Sequence, residues 1–322
     1  MPFDLDTYLN SYPDNTEYII LVGKDLTELP DLSRFTFLKK LYCSYNNLTS
    51  LPHLNENLKL LRCDYNQLTS LPPLNENLEE LYCSNNQLTF LPPLNEYLKK
   101  LECSNNQLTF LPPLNENLKY LYCSNNQLTS LPPLNENLKN LYCYNNQLTS
   151  LPPLNKNLNY LNCSNNQLTS LPPLNENLNY LNCCSNQLTS LPPLNENLEK
   201  LYCLDNKLTS FPPLNNELKY LLWNTNLIYD LLILIIDFEL EIEIEYDDCE
   251  LEIENDFKER LNEILNIINK FRSLYYTLKF KKHFIKWLWK SRERYFAEKY
   301  HPKYLLENLD ENTDLDEFLN NW

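Results

Sequence analysis

The chain repeats itself every 20 residues, and this period constrains its fold more than any other feature. Full copies of the unit begin at residues 41, 61, 81, 101, 121, 141, 161, 181 and 201, and the copy at 121–140 reads LYCSNNQLTSLPPLNENLKN. A partial copy begins at Leu221, and a degenerate one begins near Ile19. Because one short unit cannot bury its own apolar residues, such units stack on their neighbours and build a solenoid with a continuous core.

The apolar positions of the repeat predict which side chains enter that core. The segment around Leu121 and Cys123 alternates as a short strand with one buried face does. Leu128, Leu131 and Leu134 are expected to return to the same core. The Pro-Pro pair fixes φ and removes N–H donors, so we expect an extended back wall in place of a helix. The parallel strands would then form a concave sheet, and the proline segments would form the convex side.

Asparagine recurs three residues after each core cysteine and is expected to turn the chain out of the strand. Its amide can bond backbone groups of neighbouring turns. The chain has a single glycine, Gly23, so Asn, Gln, Ser and Thr must form its turns. The same shortage excludes glycine-rich phosphate-binding loops and dinucleotide fingerprints. The asparagines of this column are Asn46, Asn66, Asn86, Asn106, Asn126, Asn146, Asn166, Asn186, Asn206 and Asn226.

The leucine, cysteine and asparagine positions within one unit have the spacing of a known repeat. Leu118, Leu121, Cys123, Asn126 and Leu128 follow L-x-x-L-x-C-x-x-N-x-L. This resembles the leucine-rich repeat family in its short 20-residue form, with Leu-Pro on the convex side. The resemblance implies an α/β-type solenoid, a leucine-rich repeat superhelix with a parallel concave sheet and an extended Pro-rich convex side.

Three regions follow from where the period holds and where it fails. Residues 1–18 are expected to cap the first repeat, with Phe3, Tyr8, Leu9 and Tyr12 as contacts. Residues 19–228 would hold about ten to eleven repeats, as the resemblance implies. Residues 229–322 are expected to form an acidic strand pair and a basic, mainly helical C-terminal cap. Capping is required because the last repeat would otherwise expose its apolar column.

The C-terminal region carries a second resemblance. The runs 271–289, 299–305 and 314–322, together with the scarcity of Gly and Ala, resemble repeat proteins of giant amoeba-infecting DNA viruses. The resemblance implies a viral origin and a place in the host cell cytosol. The opening residues show no secretory signal, and the most apolar run, 231–236, is too short to span a bilayer. We therefore expect a cytoplasmic protein.

Cysteine forms a column of its own. A straight column does not converge on one point as zinc ligands must, and free cysteine is among the most buried residue types. We therefore expect buried, reduced thiols, with no metal site and no cofactor. Cys184 is expected to point outward and to be the most accessible thiol of the repeats. The nine column members are Cys43, Cys63, Cys83, Cys103, Cys123, Cys143, Cys163, Cys183 and Cys203.

The charges favour solvated surfaces over ligand sites. The net charge of −16 opposes bulk attraction to nucleic acid or to an anionic membrane. A basic helix that carries Trp287 and Trp289 is expected at 279–299. It could bind nucleic acid or a membrane surface, or it could be an amphipathic cap on the last repeat, and we favour the cap. A column of glutamates is expected to be a solvated, partly neutralised edge. It comprises Glu56, Glu76, Glu96, Glu116, Glu136, Glu176 and Glu196.

The outward strand positions carry the predicted binding site, because the repeats differ most there. Tyrosine is common at these positions and offers a large rigid contact area with one polar tip. We therefore predict a non-catalytic module that binds a protein partner on its concave face. The alternative is a ubiquitin-ligase-like effector, or an adaptor whose C-terminal region docks a host complex, although Cys249 lies in an acidic segment that would not stabilise a thiolate. The predicted site residues are Tyr42, Tyr82, Tyr120, Tyr122, Tyr142, Tyr144, Tyr160, Tyr180, Tyr202 and Tyr220.

Overall fold

The structure of the chain is a computed structural model that describes residues 4–209, 211–215 and 217–222. Several predictions concern residues outside this part. They include the contact of Phe3, the partial repeat beyond Leu222, the acidic strand pair and the basic helical cap at 229–322, and Cys249. The fold below is that of the described residues.

Eleven three-residue strands form one parallel sheet, and they pair in chain order from β1 to β11. Each strand is shifted by one repeat from the next, so that Leu121 pairs with Leu101 on one side and Leu141 on the other. The predicted parallel sheet is confirmed. The strands are β1 Tyr18–Ile20, β2 Lys40–Tyr42, β3 Leu60–Arg62, β4 Glu80–Tyr82, β5 Lys100–Glu102, β6 Tyr120–Tyr122, β7 Asn140–Tyr142, β8 Tyr160–Asn162, β9 Tyr180–Asn182, β10 Lys200–Tyr202 and β11 Tyr220–Leu222.

The core lies on one side of this sheet and repeats with the sequence. Leu121, Cys123 and Leu128 are fully buried, and Leu131 is also buried. Leu134 is only half-buried, whereas the equivalent Leu54 and Leu214 are buried. The proline segments contain neither helix nor strand, as expected for an extended back wall.

The recurrent asparagine bonds the backbone as predicted. The Nδ2 group of Asn126 donates to the carbonyls of Cys103, Cys123 and Ser124 at 3.0 to 3.1 Å. Its Oδ1 accepts from the backbone N–H of Leu108 at 2.9 Å. One buried side chain therefore satisfies backbone groups of two successive repeats, which would otherwise lose water without a partner.

A second asparagine ladder runs along the convex side, and the sequence reasoning did not foresee it. The Nδ2 group of Asn115 donates to the carbonyls of Asn95 and Leu98 at 2.6 and 3.1 Å. Asn135 repeats the pattern with Asn115 and Leu118. The convex side has no strand pairing, so these side chains join consecutive repeats there.

The turns after strands β1 to β10 place residues in the left-handed backbone region. Gly23 has a φ of 62°, and ten other residues at equivalent turns have φ from 51° to 57°. Seven of the ten are Asn or Asp, which tolerate this conformation because their side chains bond the backbone locally. Tyr45 and Tyr65 also adopt it, at 57° and 54°.

The N-terminal residues pack against the first repeat. Helix α1, Leu5–Asn10, is capped by the side chain of Asp4 and buries Leu9. The hydroxyl of Tyr8 bonds the carbonyl of Ile20 at 3.1 Å, and Arg34 donates to the carbonyl of Leu9 at 2.7 Å. Among the described residues α1 is the only helix, and its six residues cannot cross a bilayer. The described part is therefore a parallel β-solenoid of about ten turns with little helix.

Candidate functional site

The open face of the sheet, called here the concave face, is built from two outward residues per strand. The middle residue of each strand enters the core, while the first and third residues point away from it. We call the aligned first residues the first row and the aligned third residues the third row. Nine of the ten predicted tyrosines lie in these rows. Tyr144 lies two residues after the third-row residue of β7. Tyr82 and Tyr202 are buried, and the other eight are half-buried.

Five of these tyrosines stack into one continuous series, which we call the tyrosine ladder. Ring centroids are 4.6 Å apart between Tyr122 and Tyr142, 4.5 Å between Tyr142 and Tyr160, and 3.9 Å between Tyr160 and Tyr180. These three pairs are close to parallel, with 9° to 20° between ring planes. Tyr202 extends the ladder at 5.4 Å from Tyr180, with its ring tilted by 41°. The ladder thus spans five successive strands, β6 to β10.

The ladder changes row along its length. Tyr122 and Tyr142 lie in the third row, Tyr160 and Tyr180 lie in the first row, and Tyr202 returns to the third. At β8 and β9 the third row holds Asn162 and Asn182 instead. The ring of Tyr142 therefore contacts Tyr160 diagonally across the strand pair, within the reach that long aromatic side chains have on a sheet.

A cation–aromatic cluster continues the surface towards the N-terminal end. The guanidinium of Arg62 lies 4.2 Å from the ring centroid of Tyr82, and the ammonium of Lys100 lies 4.8 Å from the same ring. Lys100 is also 5.3 Å from the ring of Tyr122 and forms an ion pair with Glu102 at 2.8 Å. These contacts hold both cations along the sheet and join Tyr82 to the tyrosine ladder.

A groove of about 520 Å³ opens beside this cluster. Its walls include Tyr42, Tyr45, Arg62, Asp64, Lys100 and Glu102. Burial raises the pKa of Asp64, and the hydrogen bond from Ser44 at 2.9 Å only partly opposes the rise. Burial acts to lower the pKa of Lys100, but the hydrogen bond and charge of Glu102 outweigh it, so that the pKa is raised. The groove therefore holds charges of both signs in balance.

Two phenol groups of the ladder, those of Tyr160 and Tyr122, have a raised pKa. Burial raises the pKa of Tyr160, and hydrogen bonding with the hydroxyls of Tyr180 and Tyr142 raises it further. Burial likewise raises the pKa of Tyr122. The hydroxyls of Tyr160 and Tyr122 therefore act as neutral hydrogen-bonding groups at physiological pH, because an ionised phenol would lose its hydration here.

The structure brings together only part of the predicted set. Among residues 4–209, 211–215 and 217–222, no ring contact joins Tyr42, Tyr120 or Tyr144 to the tyrosine ladder. Tyr42 lines the groove, and Tyr220 lies 4.2 Å below the ammonium of Lys200. The sequence reasoning did not assign a role to Lys100, which bridges Tyr82 and Tyr122. Its position between two tyrosine-bearing strands was the available signal.

The cysteine column lies behind this surface, as predicted. All nine members are free and fully buried. The thiol of Cys123 donates to the carbonyl of Tyr142 in the next repeat at 3.4 Å, and six other members of the column make the same contact. Cys184 is half-buried, so it is more accessible than the column but is not freely exposed. No group of three His, Cys, Asp or Glu side chains in the described part is arranged to hold a metal ion.

The column of glutamates that begins at Glu56 is exposed, but two of the lysines expected to neutralise it pair with Glu79 instead. Glu56 and Glu76 are exposed to solvent. Lys59, which follows Glu56 by three residues, pairs instead with Glu79 at 2.9 Å, and Lys99 pairs with the same carboxylate at 2.6 Å. The ion pairs thus join one repeat to the next.

Comparison with known proteins identifies the repeat. The family model described as leucine rich repeats, in two copies, matches segments 76–116, 98–136, 116–156 and 136–176. The leucine-rich repeat domain of a Shigella effector is 33% identical over 52% of this chain and 75% of that one, with a TM-score of 0.46. The chain belongs to the leucine-rich repeat family. No curated protein matches it.

Two further leucine-rich repeat structures are similar to this chain. YopM from Yersinia enterocolitica is 30% identical over 64% of this chain, with a TM-score of 0.48. The match spans 55% of the length of that YopM chain. The leucine-rich repeat part of FLRT2, solved in an octameric complex with latrophilin 3 and Unc5D, is 22% identical over 59% of this chain and 68% of that one. Its TM-score of 0.51 agrees with the leucine-rich repeat fold seen here.

Proposed function

We propose that the chain is a non-catalytic interaction module that binds a protein partner on its concave face. The observation that supports this most is the tyrosine ladder, because it concentrates large, rigid aromatic groups with polar tips on the face where otherwise copied repeats differ. Tyrosine is enriched among the residues that carry binding energy at protein interfaces. The predicted tyrosines outside the ladder would form the periphery of the interface.

The charge distribution on the same face favours a protein over a polyanion. The groove balances Arg62 and Lys100 against Asp64 and Glu102, so it offers no excess of positive charge to phosphates. We propose, from the viral resemblance of the C-terminal region, that the partner is a protein of the host cell cytosol. The alternative role is docking of a host complex through residues 229–322. It predicts binding that does not change when residues of the concave face are substituted.

The test is affinity capture from a host-cell extract with the full chain carrying Tyr122→Ala and Tyr142→Ala. If the ladder carries the interface, the double variant should lose about 2 kcal/mol or more of binding free energy for its main partner. The two rings stack on each other, so their truncation also removes packing and the folded fraction must be measured by circular dichroism. The variant with Tyr122→Phe and Tyr142→Phe keeps the stack and removes only the hydroxyls.

The matched control is the chain with Gln127→Ala and Gln147→Ala, two exposed residues outside the strands of the same repeats. The control should capture the same partners as the natural chain. If the alanine variant of the tyrosines folds and still captures every partner with unchanged affinity, the concave face is not the site. Loss of capture on truncation at residue 228, with the folded fraction unchanged by circular dichroism, would then support docking through the C-terminal region.

A further inference from the structure

Two asparagines interrupt the third row at the centre of the tyrosine ladder. Asn162 on β8 and Asn182 on β9 are direct register partners. Both are half-buried, and an asparagine side chain is much shorter than a tyrosine. We call these two residues the central notch. The aromatic residues that surround it on the same and neighbouring strands are Tyr142, Tyr160, Tyr180 and Tyr202.

The hydrogen bonds of the central notch leave donors facing solvent. The Oδ1 of Asn162 accepts from the backbone N–H and the hydroxyl of Ser164 at 3.2 and 2.8 Å. The Oδ1 of Asn182 accepts from the backbone N–H of Cys184 at 3.1 Å. Within the described part of the chain, neither Nδ2 group donates to a protein acceptor. Each carries two N–H donors, so the notch offers hydrogen-bond donors side by side.

The two strands that carry the central notch hold no charged residue, and the nearest cation along the sheet is Lys200 on β10, the register partner of Tyr180, whose ammonium lies over the ring of Tyr220 on the far side of that strand. Residues 157–175 and 177–195 contain no Asp, Glu, Lys or Arg. Earlier repeats have Lys119 and Lys139 beside the strand, whereas these repeats have Asn159 and Asn179. A carboxylate bound between Asn162 and Asn182 would lose water without meeting a cation on either of their strands, which is costly. The donors therefore suit neutral acceptors, of which peptide carbonyls are the commonest in proteins.

The stacking of the ladder disfavours ligands that bind to flat aromatic faces. Neighbouring rings cover both faces of Tyr160, with Tyr142 at 4.5 Å and Tyr180 at 3.9 Å. Bases that bind by stacking need an exposed aromatic face. Around the notch the rings offer edges and hydroxyls, which can contact a polypeptide from the side.

We propose that the central notch binds an uncharged, extended segment of a polypeptide. Backbone carbonyls of that segment accept hydrogen bonds from the Nδ2 groups of Asn162 and Asn182, and its side chains contact the edges of the surrounding tyrosines. An extended segment is suited to this because its carbonyls are not used within a helix. This inference rests on the proposed function, which places a protein partner on the same face.

The test variant of the full chain carries Asn162→Asp and Asn182→Asp. Aspartate keeps an oxygen for the N–H groups of Ser164 and Cys184, so the local turn is retained. It replaces the N–H donors by charged acceptors. The control carries Gln147→Glu and Gln167→Glu, which changes the charge equally at exposed positions outside the strands. The probe is a library of random twelve-residue peptides displayed on phage and selected on the natural chain.

We expect the selected peptides to be depleted in Asp, Glu, Lys and Arg relative to the library. Synthetic copies should bind with affinities that change less than about twofold between about 50 and about 500 mM NaCl, because no charge pairs form. Binding should fall at least about tenfold in the aspartate variant, which leaves peptide carbonyls facing carboxylates. The glutamate control should bind as the natural chain does.

Enrichment of charged peptides, or equal binding by the aspartate variant, would overturn the role of the central notch. The variant Tyr142→Ala separates that failure from failure of the proposed function. Binding that falls with Tyr142→Ala but not with the aspartate variant would retain the concave face and reject the notch. Peptides unaffected by either variant would reject both the notch and the concave face as their site, and no enrichment at all would reject the notch alone.

Discussion

Tyr160 and Tyr180 are direct partners in the parallel sheet, and their rings lie 3.9 Å apart with 9° between their planes. Adjacent strands are about 4.8 Å apart in any sheet, which is close to the spacing of stacked rings. A tyrosine repeated at the same position of successive strands can therefore stack on its copy. The proposed binding surface is consequently also part of the packing that holds the repeats together.

Removing the central ring should therefore destabilise the fold as well as the surface. Tyr160→Ala removes two stacked pairs, each worth about 0.5 to 1.5 kcal/mol beyond the area buried. We expect the free energy of unfolding to fall by about 2 kcal/mol, measured by urea unfolding of the full chain. Tyr144→Ala is the control, because Tyr144 lies outside the ladder, and it should cost clearly less. Equal losses for the two variants would show that the stacking adds no stability.

The raised pKa of Tyr160 gives this stability a pH dependence. A phenol in the unfolded chain ionises near about pH 10, whereas burial and the hydroxyls of Tyr180 and Tyr142 raise the folded pKa. The stabilising contribution is thus fully present below about pH 10, and it is lost as the pH rises because the unfolded chain ionises first. Stability should fall more steeply with pH in the natural chain than in Tyr160→Phe.

The comparison with Tyr160→Phe is needed because the cysteine column acts in the same direction. Burial raises the pKa of Cys123 to about 12, so unfolding is also favoured once unfolded thiols ionise above about pH 8.5. Both proteins share that loss. The measurement is the unfolding free energy from about pH 8 to about pH 11, and the two curves should separate only above about pH 10. Parallel curves over the whole range would show that Tyr160 ionises normally in the folded chain.

The period of the sequence is what made the fold predictable. Because Leu121 and Cys123 recur every 20 residues, one strand position determines all the others, and the parallel register follows. The amide of Asn126 was predictable for the same reason, since a polar residue in a buried column must bond the backbone. Leu134 was predicted to be as buried as Leu131 but is half-buried, while Leu54 and Leu214 at the same repeat position are buried, so the repeat position alone does not fix the burial of this leucine.

The ring contacts that join the tyrosines into one ladder were harder to predict from the sequence than the fold. The outward tyrosines were found from alternation, but the diagonal contact of Tyr142 with Tyr160 depends on side-chain rotamers in two different rows. The convex asparagine ladder through Asn115 was missed because asparagine near proline reads as a turn residue. Its recurrence at one position of nearly every repeat was the signal that could have revealed it.

The cysteines should separate into two reactivity classes. Burial raises the pKa of Cys43 and Cys163 to about 12 and that of Cys184 to about 11. Since the thiolate is the reactive form, Cys184 should react with iodoacetamide roughly a hundredfold more slowly than a free thiol at pH 8. It should still react before the nine column members, which should be labelled only on unfolding. Mass spectrometry of peptides from native and urea-treated protein measures this order.

Cys184→Ser is the control for that order. Within residues 4–222 the variant should take up no label while folded. Rapid native labelling of any column member, such as Cys123, would contradict the stacked core. Cys249 lies outside the described residues, and its labelling is measured separately on the peptide that contains it.

The buried asparagine column should contribute more to stability than any exposed polar residue of the repeat. Asn126→Ala leaves the carbonyls of Cys103 and Cys123 and the N–H of Leu108 without their side-chain partner. Each buried group left unpaired costs about 1 to 3 kcal/mol, so we expect a loss of about 3 kcal/mol or more by urea unfolding. Gln127→Ala, at the next and exposed position, should change stability by less than about 0.5 kcal/mol. A loss below about 1 kcal/mol for Asn126→Ala would mean that water replaces the amide, and that the column is not needed to join consecutive repeats.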